Sequence, residues 1–141
     1  MNRLTMHLAI AAAALTAVAG SASAQIMKAE IPFSFHAGNT LMQPGSYDVQ
    51  VLRSAGNTQF LIRNNDTHKG AFVLGMLEPG APKGLSDESP ARLSFECAEG
   101  QCVLRQLWPG AFNSYSLSGP KVGSDGPTHT TEIMLMKANA N

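Results

Sequence analysis

The chain has 141 residues, of which 44% are hydrophobic, 6% aromatic and only 14% charged. That length allows one domain, and the hydrophobic share excludes a disordered polar chain. Ten basic and ten acidic side chains cancel, so no global field draws the protein to nucleic acid, an anionic membrane surface or a polyanionic substrate.

Charge lies far below the roughly 25% of ordinary soluble domains, while Gly and Pro exceed their usual combined share of about 12%. Thirteen glycines and eight prolines imply many turns and few charged helix faces. This is the composition of a secreted all-β protein.

Residues Met1 to Ala24 read as a secretory signal, with Arg3 and His7 in a short basic region and Leu8 to Ala19 as an apolar run. The run is shorter than the roughly 20 apolar residues of a membrane span. It closes on Ala22-Ser23-Ala24, a small-x-small site that predicts cleavage before Gln25. No Cys follows for lipid attachment, and no later segment is apolar enough to span a bilayer. Residues 25–141 are then one β domain, exported to the periplasm or the exterior.

Along that domain, period-two alternation predicts strands with one buried face. Ile31, Phe33, Phe35 and Ala37 point one way, while Pro32, Ser34 and His36 point the other. Pro32 has no N–H, which puts this strand at an edge or starts it there. After a turn at Gln43-Pro44-Gly45-Ser46, Tyr47, Val49 and Val51 resume the alternation. A turn at Ala55 to Thr58 leads into a strand at Gln59 to Arg63, and Asn64 to Thr67 forms another polar turn. Ala71 to Leu77 is apolar on both faces and reads as a central strand. Glu78 to Pro90, with three prolines, reads as a long surface loop.

Leu93, Phe95 and Cys97 share a face, as do Cys102, Leu104 and Gln106. A four-residue hairpin loop at Ala98 to Gln101 puts Cys97 opposite Cys102, Phe95 opposite Leu104 and Leu93 opposite Gln106. The strand runs to Trp108 and stops at Pro109-Gly110. Phe112 to Leu117 is a further strand, Gly119 to Thr128 a loop and Thr130 to Met136 the last strand. About eight short strands predict a single small antiparallel barrel or sandwich.

An even cysteine count and a cross-hairpin position in an exported chain predict a structural disulfide, Cys97–Cys102. The spacing is C-x₄-C within strands, unlike the C-x-x-C of redox-active pairs. His36, His68 and His129 show no metal-ligand spacing, Asn64-Asn65-Asp66 lacks the calcium-loop pattern, and no cofactor motif is present. Val122 to Gly126 lacks the first glycine of a nucleophile elbow. Asp87, Glu88, Glu96, Glu99 and Glu132 form no glycosidase motif. These absences point away from an enzyme, with a secreted hydrolase as the least favoured reading.

Tyr47, Phe60, Phe72, Phe95, Leu104 and Trp108 either fill the core or line a cavity for one small apolar ligand. Trp108, Phe112 and Tyr115, beside Pro109-Gly110, are the candidate binding surface. The expected partner is an unidentified protein or a small ligand. Assembly through an edge strand at Ile31 to Phe35 or at Thr130 to Met136 is a further option.

Pro32-Phe33-Ser34-Phe35, Gly38 and Pro44-Gly45-Ser46-Tyr47-Asp48-Val49 resemble a family of small exported bacterial β-rich proteins whose pattern is P-F-x-F-x-x-G, then P-x-G-x-Y-x-V. The second motif is one residue tighter here. Leu61 to Asn64, Leu93 to Phe95 and Leu104 to Trp108 extend the resemblance over about residues 30 to 108. It implies a secreted barrel-like domain and transfers no catalytic residue. The cysteine pair and the region after Gly119 depart from it.

Overall fold

The computed structural model describes residues 25–86, 88–110, 113–124 and 126–138, so the signal read at Met1 to Ala24 lies outside the described residues. Among the described residues there is no helix, and eleven strands follow in order. They are β1 (Ile26–Ile31), β2 (Phe35–Ala37), β3 (Thr40–Met42), β4 (Gly45–Ser54), β5 (Asn57–Asn64), β6 (Gly70–Pro79), β7 (Arg92–Ala98), β8 (Gln101–Trp108), β9 (Asn113–Leu117), β10 (His129–Met134) and β11 (Met136–Lys137).

The hydrogen-bonded order is β10-β7-β8-β9-β6-β5-β4-β1-β11, with β2 joined to β3 and to β8. The expected all-β fold is present. Its finer form differs, because the sheet is open and mixed instead of a closed antiparallel barrel. The parallel elements are the bridges from His36 to Val103 and from Gly80 to Asn113. Between the end strands β10 and β11 stands Leu135, whose N–H donates to the Ala91 carbonyl at 2.9 Å. There the chain leaves β7 and reaches β1, pairing only through Met136 and Lys137.

The sequence expectation for the first strand changes. The alternation across Ile31 to Ala37 holds in burial, but the strand is split at residues 32–34, where Pro32 cannot donate to a ladder. β4 pairs along β1 from Ile26 to Ile31, while on the other side β11 pairs only at Met27 and Lys28.

Turns β4–β5 and β7–β8 are tighter than expected. Ser54 pairs with Asn57, leaving the two-residue turn Ala55-Gly56 with φ of 47° and 82°. Positive φ at both positions matches the right-handed strand twist.

The inward residues of these strands make one core. Phe35, Tyr47, Phe60, Ile62, Leu93, Phe95, Leu104 and Leu107 have no exposed surface. Phe33, Phe95, Phe35 and Tyr47 form a run of edge-to-face ring contacts at 5.0, 5.2 and 5.3 Å between centroids. Such contacts add to the burial of the rings themselves.

The Pro44-Gly45-Ser46-Tyr47 motif has a structural cause. The Tyr47 hydroxyl donates to the Gln43 carbonyl four residues back. A Cβ on Gly45 would lie 3.0 Å from Asn64 Nδ2 and 3.2 Å from Asp66 Oδ2, so only glycine fits comfortably. Buried Asn64 organises the β5–β6 turn, its Oδ1 accepting from the Asp66 and Thr67 N–H groups at 2.8 and 3.0 Å. Burial raises the Tyr47 pKa above its ordinary value, and the neighbouring Asn64 amide opposes part of that rise.

β6 departs most from expectation. It is central, flanked by β5 and β9, yet it is buried on one face only. Ala71 and Val73 point inward, while Phe72, Leu74 and Met76 are 67%, 53% and 58% exposed. Nothing described covers the outer face there, so an apolar pattern on both sides did not mean burial on both sides.

At Gly75 the same strand touches the core. A Cβ there would sit 2.5 Å from Phe60 Cε2 and 3.3 Å from Tyr115 Cβ, and the Phe60 and Tyr115 rings pack edge to face at 5.1 Å. Gly75→Ala is therefore expected to destabilise the fold by about 1–3 kcal/mol through overpacking. Urea denaturation checks this, and an unchanged midpoint would contradict the close approach.

Candidate functional site

The β7–β8 hairpin carries the disulfide and, further along, a groove lined by charged side chains. Its turn is Glu99-Gly100, with φ of 53° and 77°, so Ala98 pairs with Gln101 and the expected four-residue loop shrinks to two. Cys97 stands opposite Cys102 and Phe95 opposite Leu104, as the pattern predicted. Cys97 and Cys102 are joined in a disulfide with Cα atoms 4.1 Å apart. That spacing suits the close, non-hydrogen-bonded position next to the turn-closing pair of an antiparallel ladder.

Beyond Phe95 the register shifts. Ser94 pairs with Gln106 and Leu93 with Leu107, so the expected pairing of Leu93 with Gln106 fails. The extra residue is Arg105, a β-bulge that lets Arg105 and Gln106 both line the outer groove. It also leaves Leu107 inside, opposite Leu93, and Trp108 opposite the outward Arg92.

Arg105 and Trp108 of this strand each hold a loop. Arg105 Nη1 donates to the Gly119 carbonyl at 3.0 Å, and Nη2 donates to the Pro120 carbonyl at 2.6 Å and to Glu96 Oε1 at 3.3 Å. Val122, two residues on, is buried in a small cluster with Ala98 and Val103 on the outside of the hairpin. At the other end Trp108 Nε1 donates to the Ser89 carbonyl at 3.4 Å, and Arg92 Nε donates to the Pro90 carbonyl at 3.3 Å. The loops that follow β6 and β9 are thus tied to β8 by one guanidinium and one indole.

Between them lies an open groove of about 480 Å³, lined by Glu78, Lys83, Glu96, Arg105, Gln106 and Glu132 among others. Ladder pairing places these side chains, since Glu96 pairs with Thr130 and Ser94 with Glu132. The carboxylates are engaged, Glu96 with Arg105 at 3.3 Å and Glu132 with Arg92 at 2.7 Å. Exposed pairs of this kind contribute at most about 1 kcal/mol each, and here they fix the lining in place. The groove offers hydrogen-bond donors and acceptors of both signs.

No family model matches this chain, and neither a curated protein nor a solved structure does.

The aromatic surface expected at Trp108, Phe112 and Tyr115 takes a different form. Trp108 is 1% and Tyr115 6% exposed, so neither presents a ring face to a ligand. Phe112 lies outside the described residues. Trp108 stands apart from the main core and anchors a loop, which is why a stacking role fails. Tyr115 lines a second groove of about 620 Å³ with Leu74, Met76 and Leu77. His36, His68 and His129 sit on β2, in the β5–β6 turn and on β10, and among the described residues no cluster of three metal-binding side chains occurs.

Sequence reasoning missed the outward row of β6 and the Arg105 bulge. The second had a signal, because Val103-Leu104, Arg105-Gln106 and Leu107-Trp108 run in like pairs and break period two.

Closing so short a loop by a disulfide contributes about 2 kcal/mol in the chain-entropy model. Reduction of Cys97–Cys102 is therefore expected to lower the denaturation midpoint while near-ultraviolet circular dichroism stays native. Loss of that signal in reductant would show that the bond holds the whole domain.

Arg105→Ala removes both carbonyl contacts to residues 119 and 120. Limited tryptic cleavage after Lys121 is expected to accelerate at least several-fold, because two charge-assisted hydrogen bonds are lost. An unchanged cleavage rate would contradict the tether.

Proposed function

We propose that the protein is an exported, non-catalytic β domain that works by contact with another polypeptide through the outside of its sheet. The observation that carries this reading is where the large apolar residues lie. Phe72, Leu74 and Met76 are each more than half exposed on the outer face of β6, on a chain with a well-filled core. Contiguous apolar surface on a soluble domain marks interaction sites.

Export is supported by the signal-like Met1 to Ala24 and by the single disulfide, which suits an oxidising compartment. Among the described residues no helix is long and apolar enough to cross a membrane. The motif resemblance to small exported β-rich proteins points the same way.

The alternative, a carrier of a small apolar ligand, needs interior space. Phe35, Tyr47 and Phe95 are fully buried and touch ring to ring where such a ligand would sit, and Phe60 is buried against Tyr115. The hydrolase reading has less behind it, since the groove carboxylates Glu96 and Glu132 are each paired with an arginine across neighbouring strands.

Native mass spectrometry of the protein from its own exported fraction, beside a denatured sample, tests the choice. The expected spectrum shows polypeptide masses alone. A stoichiometric small-molecule adduct lost on denaturation would overturn the contact reading in favour of the carrier.

A further inference from the structure

We propose that the outer face of β6 is a self-association surface, on which a second copy of this chain docks about a twofold axis through Leu74. This names the partner for the contact reading above and rests on it.

The row is symmetric about Leu74 in size and in charge. Phe72 and Met76 flank it at two residues on either side, both exposed. Four residues away on one side is Gly70, which pairs with Arg63 on β5. Four residues away on the other is Glu78. Along a strand the apolar part spans about 13 Å, with a basic side chain at one end and an acidic one at the other.

A twofold axis at Leu74 sets Leu74 on Leu74 and Phe72 on Met76 twice, a thioether–aromatic pairing that is itself favourable. It also brings Arg63 of each copy to Glu78 of the other. Both side chains have capacity to spare. Arg63 makes one contact through Nη2, to His68 Nδ1 at 3.2 Å, and Glu78 accepts from Gln106 Nε2 at a long 3.5 Å. No other partner chemistry is matched so fully, since a generic apolar target would leave the two opposite charges unused.

The flanking outer positions are compatible with close approach. Leu61 lies beside Phe72, Gln59 beside Leu74 and Ser116 beside Met76, and none of the three is charged. The formal net charge of zero removes long-range repulsion between copies. The three side chains expose roughly 300 Å² of apolar surface, against about 800 Å² per partner in a standard interface. The row is therefore the apolar centre of a small interface with a polar rim, and the dimer dissociates in the micromolar range.

Sedimentation velocity of the mature exported protein, from about 5 to 500 µM, reads the assembly directly. The weight-average mass is expected to rise from one chain towards two. Leu74→Asp is expected to weaken association at least about tenfold with an unchanged melting temperature, as at the centre of an interface. Arg63→Glu and Glu78→Arg should each weaken it, and the double variant should restore it, which separates the interface from any effect on folding. A monomer across the whole range, a dimer indifferent to Leu74→Asp, or a double variant no better than either single one would overturn the proposal. A monomer leaves the contact reading intact, because that reading fails on a small-molecule adduct instead.

Discussion

Between Leu104 and Gln106 the β8 ladder gains one residue on β7, and the side chain of that residue, Arg105, reaches two carbonyls fourteen and fifteen positions further along. A bulge of this kind re-aims side chains and turns the strand more sharply. Here it brings two consecutive polar residues to the groove and carries Trp108 under the Ser89 segment. The two longest connections of the chain then hang on one strand. Without the extra residue, period two would send Gln106 inward beside Leu93, and a buried amide would need a partner that the apolar core does not hold.

The interior and exterior of the sheet divide the work in an unusual way. Inside, aromatic rings meet edge to face and leave the fold one filled core. Outside, the surface divides at β9. On the β7–β8–β10 side it is polar, pinned by the two arginine–glutamate pairs. On the β6 side it is apolar and flanked by Arg63 and Glu78. Ser114 and Ser116 of β9 stand between the two regions. A filled core with contrasting outer faces is what the proposed contact function rests on.

Much of the fold was legible in the sequence because period-two alternation is a local signal. Tyr47 and Val49 faced inward, and Cys97 with Cys102 and Phe95 with Leu104 met across the hairpin, as their spacing requires. The expectation failed where the deciding contact is remote. Whether the outer side of Phe72, Leu74 and Met76 is covered depends on what packs over β6, which no neighbouring residue in the chain encodes. Whether the sheet closes depends on how β10 and β11 divide between β7 and β1, and Leu135 between them is bonded to Ala91 forty-four positions earlier. Trp108 was read both as a core or cavity residue and, beside Pro109-Gly110, as binding surface, and its buried indole is claimed by the loop folded back over it.

The register of β7 on β8 tests this account most directly, and interstrand backbone contacts measured by nuclear magnetic resonance report it. Close approach of Phe95 to Leu104 together with Ser94 to Gln106 is the predicted pattern, with Arg105 unpaired between them. A continuous register, with Ser94 facing Arg105 and Leu93 facing Gln106, would contradict it and with it the tethering of both loops to β8.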